Sequence, residues 1–462
     1  MHEALPVTGA AVPRRPRVAI VSAVHPYPTD GGNKVVLAGL VRYFAERHGA
    51  DAVSYVLVGP EPREPIPEPV HLRVVPRPGT ARRLWGVTRR AVLGGASLQE
   101  GILWSPTTAR RLRRVLADIE PDVVVLDTIR MAQYLDAVPE STRRTVCYVD
   151  DLYSERYRSM LDLVRDEPGV TVRPLASFAE LIPRGLRRLT EWGPTQQRIL
   201  RFESRRTAQS ENRVARAVDT CLLVNDNETR RLRERVGGAD IRTVVPLPQS
   251  IGGHAMRTHH GLPVFVIMGV LSGPHNDLAV RWLLSEVLPL LLRSVPQARI
   301  DVIGKNPSPE VTAMAAAAPG AVRLLGFVPD PLPHLTGACA LLNPPRFASG
   351  IKLKVLDALA VGTPVVSTAA GADGLHTGAE HGVVIADSAA GFAAAMAELC
   401  DPVRNARVSA GARRHCTERF SRDAVFAQYD TLFPGPPNAL APTGPMRRPG
   451  VPVPTRATTT LR

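Results

Sequence analysis

Ser349-Gly350-Ile351-Lys352-Leu353-Lys354-Val355-Leu356-Asp357-Ala358-Leu359-Ala360-Val361-Gly362-Thr363-Pro364-Val365-Val366 is the most informative stretch of this chain. Of the 57 Lys and Arg residues only four are lysines, Lys34, Lys305, Lys352 and Lys354, and two of them stand here. Where Arg is the default cation, a retained Lys marks a position that suits a compact ammonium rather than a planar fork. An apolar run, Ala338 to Leu342, and then Arg346 come before the stretch, and an apolar run closes it. The order is strand, loop, helix N-terminus with cations, next strand. Such a turn suits a bound phosphate, because free backbone N–H groups and the helix dipole add to the side-chain charges.

Working outward, strand-length apolar runs recur along the whole chain. In the first half they are Val18–Val24, Val53–Val58, Val123–Leu126, Thr145–Val149, Cys221–Val224 and Val244–Leu247. In the second half they are Val264–Leu271, Ile300–Ile303, Val322–Phe327, Cys339–Leu342, Val365–Ser367 and Val383–Ile385. Their near-continuous apolar content, without clean alternation, predicts parallel strands buried on both faces. Helix-period segments lie between them, among them Lys34–Arg47, Thr108–Ile119, Asp277–Arg293 and Ser388–Cys400. Alternating β and α predicts doubly wound α/β domains, and 462 residues suffice for two or three.

The net charge of +14 admits nucleic acid, a membrane surface or an anionic substrate, or simply an Arg-rich surface. Residues 80–114 carry eight Arg against one Glu, and 183–218 carry nine Arg. With only 5% aromatic residues the chain has little with which to stack bases, so no nucleic-acid partner is expected. Cys147, Cys221, Cys339, Cys400 and Cys416 show no paired spacing and read as buried thiols of a reducing compartment. No stretch approaches the roughly 20 apolar residues of a membrane span. Pro13, Arg14, Arg15 and Pro16 interrupt any leader-like apolar run. The expected location is cytoplasmic, with peripheral contact at a membrane face through the Arg-rich segments.

A second candidate loop is Gly269-Val270-Leu271-Ser272-Gly273-Pro274-His275-Asn276-Asp277, again between strand and helix. Glycines let backbone approach a ligand, and Asn and Asp favour the helix cap. Gly273, His275 and Asn276 are therefore candidate ligand-binding residues. Lys305, beside Gly304 at a strand end, reads either as a nucleobase contact or as a surface turn lysine. No metal-ligand spacing stands out: Asp150-Asp151 is not D-x-D, and His254, His259 and His260 fall in a Pro-, Gly- and His-rich linker.

These residues carry a resemblance. Gly350-x-Lys352-x-Lys354-x-Leu356-Asp357-Ala358-Leu359-Ala360-x-Gly362-Thr363-Pro364 resembles the donor-site signature of family-4-like (group 1) GT-B glycosyltransferases. Gly371-Ala372-Asp373-Gly374-Leu375 resembles that family's next loop, and Pro26-Tyr27-Pro28-x-x-Gly31-Gly32-Asn33-Lys34 its N-terminal glycine loop. The resemblance implies two Rossmann-like domains facing a central cleft, with a last helix crossing back to the first domain. It implies that Arg346 and Lys352 neutralise the donor diphosphate and that Asp357 binds the ribose. It also implies that Gly31 and Gly32 close over the donor phosphate. Ser349, Gly350 and Ile351 complete the donor loop, but Ser349 stands where the family has the first Glu of its E-x7-E motif. Asp150 stands where the family presents a His, and reads as a catalytic polar residue facing the sugar or as a structural loop residue.

The expected organisation is an N-tail at 1–16, an acceptor domain at 17–250 with a helical insertion at about 155–217, a donor domain at 262–416, a returning helix at 417–434 and a tail at 435–462. The insertion reads as helices packed on the sheet, or as an acceptor lid or membrane-surface element. The expected activity is sugar transfer from a nucleoside-diphosphate-sugar to a hydroxyl acceptor, lipid-linked acceptors included, in polysaccharide or glycoconjugate assembly. It would be retaining, and no cofactor or metal is expected. The rivals are an inactive GT-B scaffold, a transferase for small natural products, a GT-B-like epimerase or phosphorylase, and a nucleic-acid-binding protein.

Overall fold

The computed structural model describes residues 15–29, 31–166, 193–248, 257, 259–346 and 352–433. Seven parallel strands form the first sheet: β1 (Val18–Ser22), β2 (Val53–Val58), β3 (His71–Val75), β4 (Val123–Asp127), β5 (Arg144–Asp150), β6 (Thr220–Leu223) and β7 (Ile241–Thr243). Their order is β3-β2-β1-β4-β5-β6-β7. Six more form the second: β8 (Val264–Met268), β9 (Arg299–Ile303), β10 (Val322–Gly326), β11 (Ala340–Asn343), β12 (Val365–Ser367) and β13 (Val383–Ile385), in the order β10-β9-β8-β11-β12-β13. Each order reverses beside its first strand, between β1 and β4 and between β8 and β11. Crevices at such switch points, outside the strands' C-terminal ends, are where doubly wound sheets bind ligands. The expected architecture of two doubly wound domains and a returning helix is present.

Burial on both faces shows in how one strand feeds two cores. Val18 and Ile20 of β1 enter one apolar cluster while Ala19 and Val21 enter another. The second sheet divides likewise, Val266 joining the first cluster and Phe265 and Ile267 a third. The first cluster therefore runs through both sheets. The helices Pro402–Phe420 and Arg422–Leu432 join them, supplying Phe420, Val425, Phe426 and Tyr429. Tyr43, on the helix Gly32–His48, meets Phe426 and Tyr429 edge to face at 5.3 Å each. Such pairs add about 0.5–1.5 kcal/mol apiece beyond their buried area.

The run Val244–Leu247 is not a strand; the last strand of the first sheet is Ile241–Thr243. Val245 N–H donates to Gln428 Oε1 at 2.9 Å, and Gln428 Nε2 donates to the Thr243 carbonyl at 3.3 Å. A helix side chain thus satisfies backbone groups that a further strand would have paired. Val244, Val245 and Leu247 are nonetheless buried in the shared cluster, which is why they read as strand. The helix expected over Asp277–Arg293 is continuous but widens at Leu283–Val287, directly before the last stretch Leu288–Ser294 with Pro289 near its start. Pro289 lacks the N–H of a regular turn and its ring crowds the preceding one. Strand β3 went unforeseen because it is an edge strand, half-exposed and only modestly apolar. All five cysteines are free, and Cys400 is half-buried rather than buried. Among the described residues no helix is long and apolar enough to cross a membrane.

Candidate active site

The first loop of the site leaves β1. Gly31 is the cap of the helix Gly32–His48, with extended backbone at φ −147°. A Cβ on Gly32 would meet nothing within 4 Å. The fold therefore places no internal demand on Gly32, and the space above the helix start is open.

From the second sheet, the loop after β8 begins at Gly269 and ends at Gly273, the cap of the helix Pro274–Trp282. A Cβ at Gly304 would lie 1.9 Å from the Gly269 carbonyl oxygen. Only a glycine there lets the ends of β8 and β9 cross so closely. Asn276 Nδ2 donates to the Val270 carbonyl at 2.9 Å, so this amide holds the loop. His275 has an exposed side chain with protein packed around its ring. Burial pushes its pKa down to about 4, and Lys354, Lys352 and Arg156 add to the effect. It is a neutral imidazole among cations. Lys305 Nζ sits 3.9 Å from the ring centroid of Phe327, a side chain 60% exposed at the rim.

Lys352 caps the helix Leu353–Ala360 and is half-buried. Burial lowers its pKa to about 8, opposed by the carboxylates of Asp151, Glu228 and Asp373 and reinforced by Arg156. Asp151, Glu228 and Arg156 belong to the first domain, so the lysine's field is set from across the cleft. Lys354 is turned inward, where Nζ donates to the Met268 carbonyl at 3.0 Å, and burial and Lys352 bring its pKa to about 8. It ties the helix to the end of β8. Asp357 is half-buried further along the same helix, and its charge reaches the Cys416 thiol on Pro402–Phe420. Arg346 is exposed just after β11. Ser349, Gly350 and Ile351 lie outside the described residues, as does the whole of the apolar and Arg-rich 181–192 segment.

Opposite stands the end of β5. Asp150 has φ +73° and Thr128, just after β4, has φ +62°. Left-handed backbone at two non-glycine residues on adjacent strand ends is uncommon and costs energy at each. Asp150 is 7% exposed, and its two oxygens accept from Tyr148 Oη at 2.8 Å and Tyr153 Oη at 3.1 Å. Burial and the adjacent Asp151 push its pKa up to about 7. Asp151 pairs with Arg156, and Arg156 and Arg130 lie on the Tyr153 ring at 4.6 and 4.9 Å. Glu228 Oε2 accepts from the Leu152 N–H at 3.0 Å, and burial raises its pKa to about 8.

The fold thus brings Lys352, His275 and the β5 loop to one cleft. Sequence reading singled out Asp150, and the carboxylates whose field reaches Lys352 are its neighbour Asp151, with Glu228 and Asp373. Arg156, Glu228 and Asn225 were also missed. Their only sequence signal was membership of charge-rich helical segments, which looks the same for a solvated face.

Residues 262–401 match the family model described as glycosyl transferases group 1. The fold is GT-B. Sucrose-phosphate synthase from Thermosynechococcus elongatus superposes with a TM-score of 0.61 at 14% identity, covering 91% of this chain and 98% of that one. The Anabaena protein HepE, solved in complex with UDP and glucose, gives a TM-score of 0.54 at 12% identity over 90% of this chain and 99% of its own. At such identities the likeness shows the fold alone. In sequence, an uncharacterized 44.6 kDa protein in the cps region of Klebsiella pneumoniae is 32% identical over 136 residues, 28% of this chain. The chain covers 34% of the length of that curated relative.

Proposed function

We propose that this GT-B protein transfers a sugar from a nucleoside-diphosphate-sugar to a hydroxyl acceptor. The observation that carries the reading is Lys352 at a helix N-terminus on the cleft, inside the stretch that matches the glycosyl transferase model. When the bond from the anomeric carbon to the diphosphate breaks, negative charge grows on the leaving group. A fixed ammonium, a helix N-terminus and Arg346 meet that charge without reorganising. UDP is the first nucleotide to try, since the HepE structure was solved with it.

Retention of configuration and independence of a metal belong to the same proposal and rest on the group 1 resemblance. Gly31 and Gly32 would admit the donor from the first domain, and Asp150 would face the sugar. Lys305, His275 and Gly273 would line the nucleotide's approach, with Asp357 toward the ribose and Ser349 to Ile351 closing the loop. The acceptor half presents Arg198, Arg201, Arg205 and Arg206 around Phe202 along the helix Gly193–Ala217. Exposed Leu84, Trp85 and Leu93 lie near the Arg89–Trp85 contact. An anionic or lipid-linked acceptor met at a cytoplasmic membrane face suits these surfaces.

The test is release of nucleoside diphosphate from a panel of sugar nucleotides, with and without a hydroxyl acceptor. A second reading, an inactive scaffold, is favoured by Ser349 and by the two tyrosines that occupy the Asp150 carboxylate. Nucleotide binding without turnover on any acceptor supports that reading.

A further inference from the structure

Three histidines that are spread over 40 positions of sequence come together on the second domain. His376 lies on the loop after β12, His381 on the short turn Ala379–His381, and His415 on the helix Pro402–Phe420. One ring nitrogen from each lies within 4.8 Å of the other two. The ring centroids are 5.3, 5.2 and 4.7 Å apart, so each imidazole touches both of the others.

The backbone beneath them is built for close approach. A Cβ on Gly411 would lie 2.4 Å from the Ala379 carbonyl oxygen, and one on Gly382, at φ +80°, would lie 2.4 Å from the Ala412 Cβ. Two glycines therefore let the helix seat directly on the turn, fixing His415 relative to His381. His415 is buried, His381 half-buried and His376 exposed, an arrangement closed at the bottom and open to solvent at the top. His376 Nε2 accepts from Arg419 Nη1 at 2.6 Å, so its lone pair points at the guanidinium, which a bound cation would have to displace. Arg419 is held in turn by Asp226 at 2.8 Å. Glu380 Oε1, 3.8 Å from His381 Nε2, is the nearest carboxylate to that ring.

We propose that His376, His381 and His415 form a binding site for a borderline divalent cation of the Zn2+ class. Three neutral imidazoles suit such ions, and hard cations such as Mg2+ would want oxygen ligands instead. Bonds of about 2.0–2.1 Å to nitrogen require the three donors to draw in to roughly 3.4 Å of one another. Rotation of the exposed His376, with Arg419 turning away toward Asp226, supplies that movement. Glu380 or water completes a four-coordinate shell. The ion would clip the loop that carries Asp373 to the helix that returns toward the first domain. It takes no part in the proposed sugar transfer, so it stands or falls separately from that reading.

The test uses tag-free full-length protein stripped with a chelator. Co2+ titration followed by visible absorption and Zn2+ competition against a chromophoric chelator measure stoichiometry and affinity. The expected result is one saturable equivalent. The variants His376→Asn, on the exposed rim, and His381→Gln should each weaken affinity by more than the about 10- to 100-fold that loss of an outer partner costs at such sites. His71→Gln, on the edge strand β3, should leave it unchanged. Zn2+ should raise the melting temperature of wild type and not of His376→Asn, whose metal-free melt matches wild type. Absence of a saturable single equivalent in wild type overturns the proposal. So does wild-type affinity in His376→Asn.

Discussion

Asn225 Nδ2 donates to Asp373 Oδ2 at 2.9 Å across the interdomain cleft, while Asn225 Oδ1 caps its own helix through the Asn227 N–H at 2.8 Å. The same aspartate accepts from Asn227 Nδ2 at 2.6 Å, with Arg231 3.8 Å away. Gly374, at φ +82°, lies so close to Asn225 that a Cβ there would fall 2.6 Å from its side chain. The loop after β12 is therefore latched to the start of the helix Asp226–Val236, holding the two domains together beside Lys352.

Removing the latch by Asp373→Ala should loosen the two domains. Hydrogen bonds to a charged group contribute about 1.5–3 kcal/mol each when well sheltered, and this carboxylate is partly exposed, so a loss of about 1–2 kcal/mol is expected. Small-angle scattering should show a larger radius of gyration, and the donor KM should rise more than kcat falls. An unchanged scattering profile contradicts the latch.

The pH dependence of donor binding follows from Lys352. Its pKa of about 8 in the free protein means that the ammonium is present below pH 8 and lost above it. A bound diphosphate favours the charged form, so binding above pH 8 must take up a proton. Donor affinity should therefore be flat from pH 6 to 7.5 and then weaken, approaching about tenfold per pH unit. Calorimetric titrations across that range, in buffers of different ionisation enthalpy, measure both the affinity and the proton uptake.

Asp150 should cost stability. Its folded pKa of about 7 exceeds the ordinary carboxylate value, so the native state binds more protons than the unfolded chain between about pH 4 and 7. Stability is lost as pH rises through that window and stays reduced above it. Asp150→Asn removes the buried charge, suits the left-handed backbone, and should stabilise the protein by about 1–3 kcal/mol at pH 8. The gain should vanish near pH 4. Denaturant melts at the two pH values check the sign. A simultaneous fall in turnover is expected if the carboxylate faces the sugar.

Gly32→Ala separates fold from function at the N-terminal loop. The new Cβ enters open space, and a helical Ala is favoured over Gly by about 0.5–1 kcal/mol. The melting temperature should hold or rise while the donor KM increases several-fold. A variant as active as wild type places the donor elsewhere.

Much of this was legible in sequence because parallel sheets buried on both faces write their strands as unbroken apolar runs. Val18–Val24 and Val365–Ser367 are clear cases. The stretch from Lys352 to Ser367 likewise encodes a helix, turn and strand within one local segment. The edge strand β3 was hidden because half of its surface is solvent, and Val244–Leu247 misled because burial by a helix looks like burial in a sheet. Asp151, Arg156 and Glu228 come from elements far from Lys352 in sequence, and only the closing of two domains assembles them. The same holds for the three histidines, whose spacings of five and 34 residues match no local ligand pattern.

The most direct test of the account is the stabilisation of wild type and Lys352→Ala by UDP, GDP and ADP and their sugars. A ligand present at about 100 times its Kd should stabilise the folded protein by about 2.7 kcal/mol. The account predicts a shift with one nucleotide family in wild type, and its loss in the variant at unchanged basal stability. No shift with any nucleotide, or an equal shift in Lys352→Ala, would contradict it.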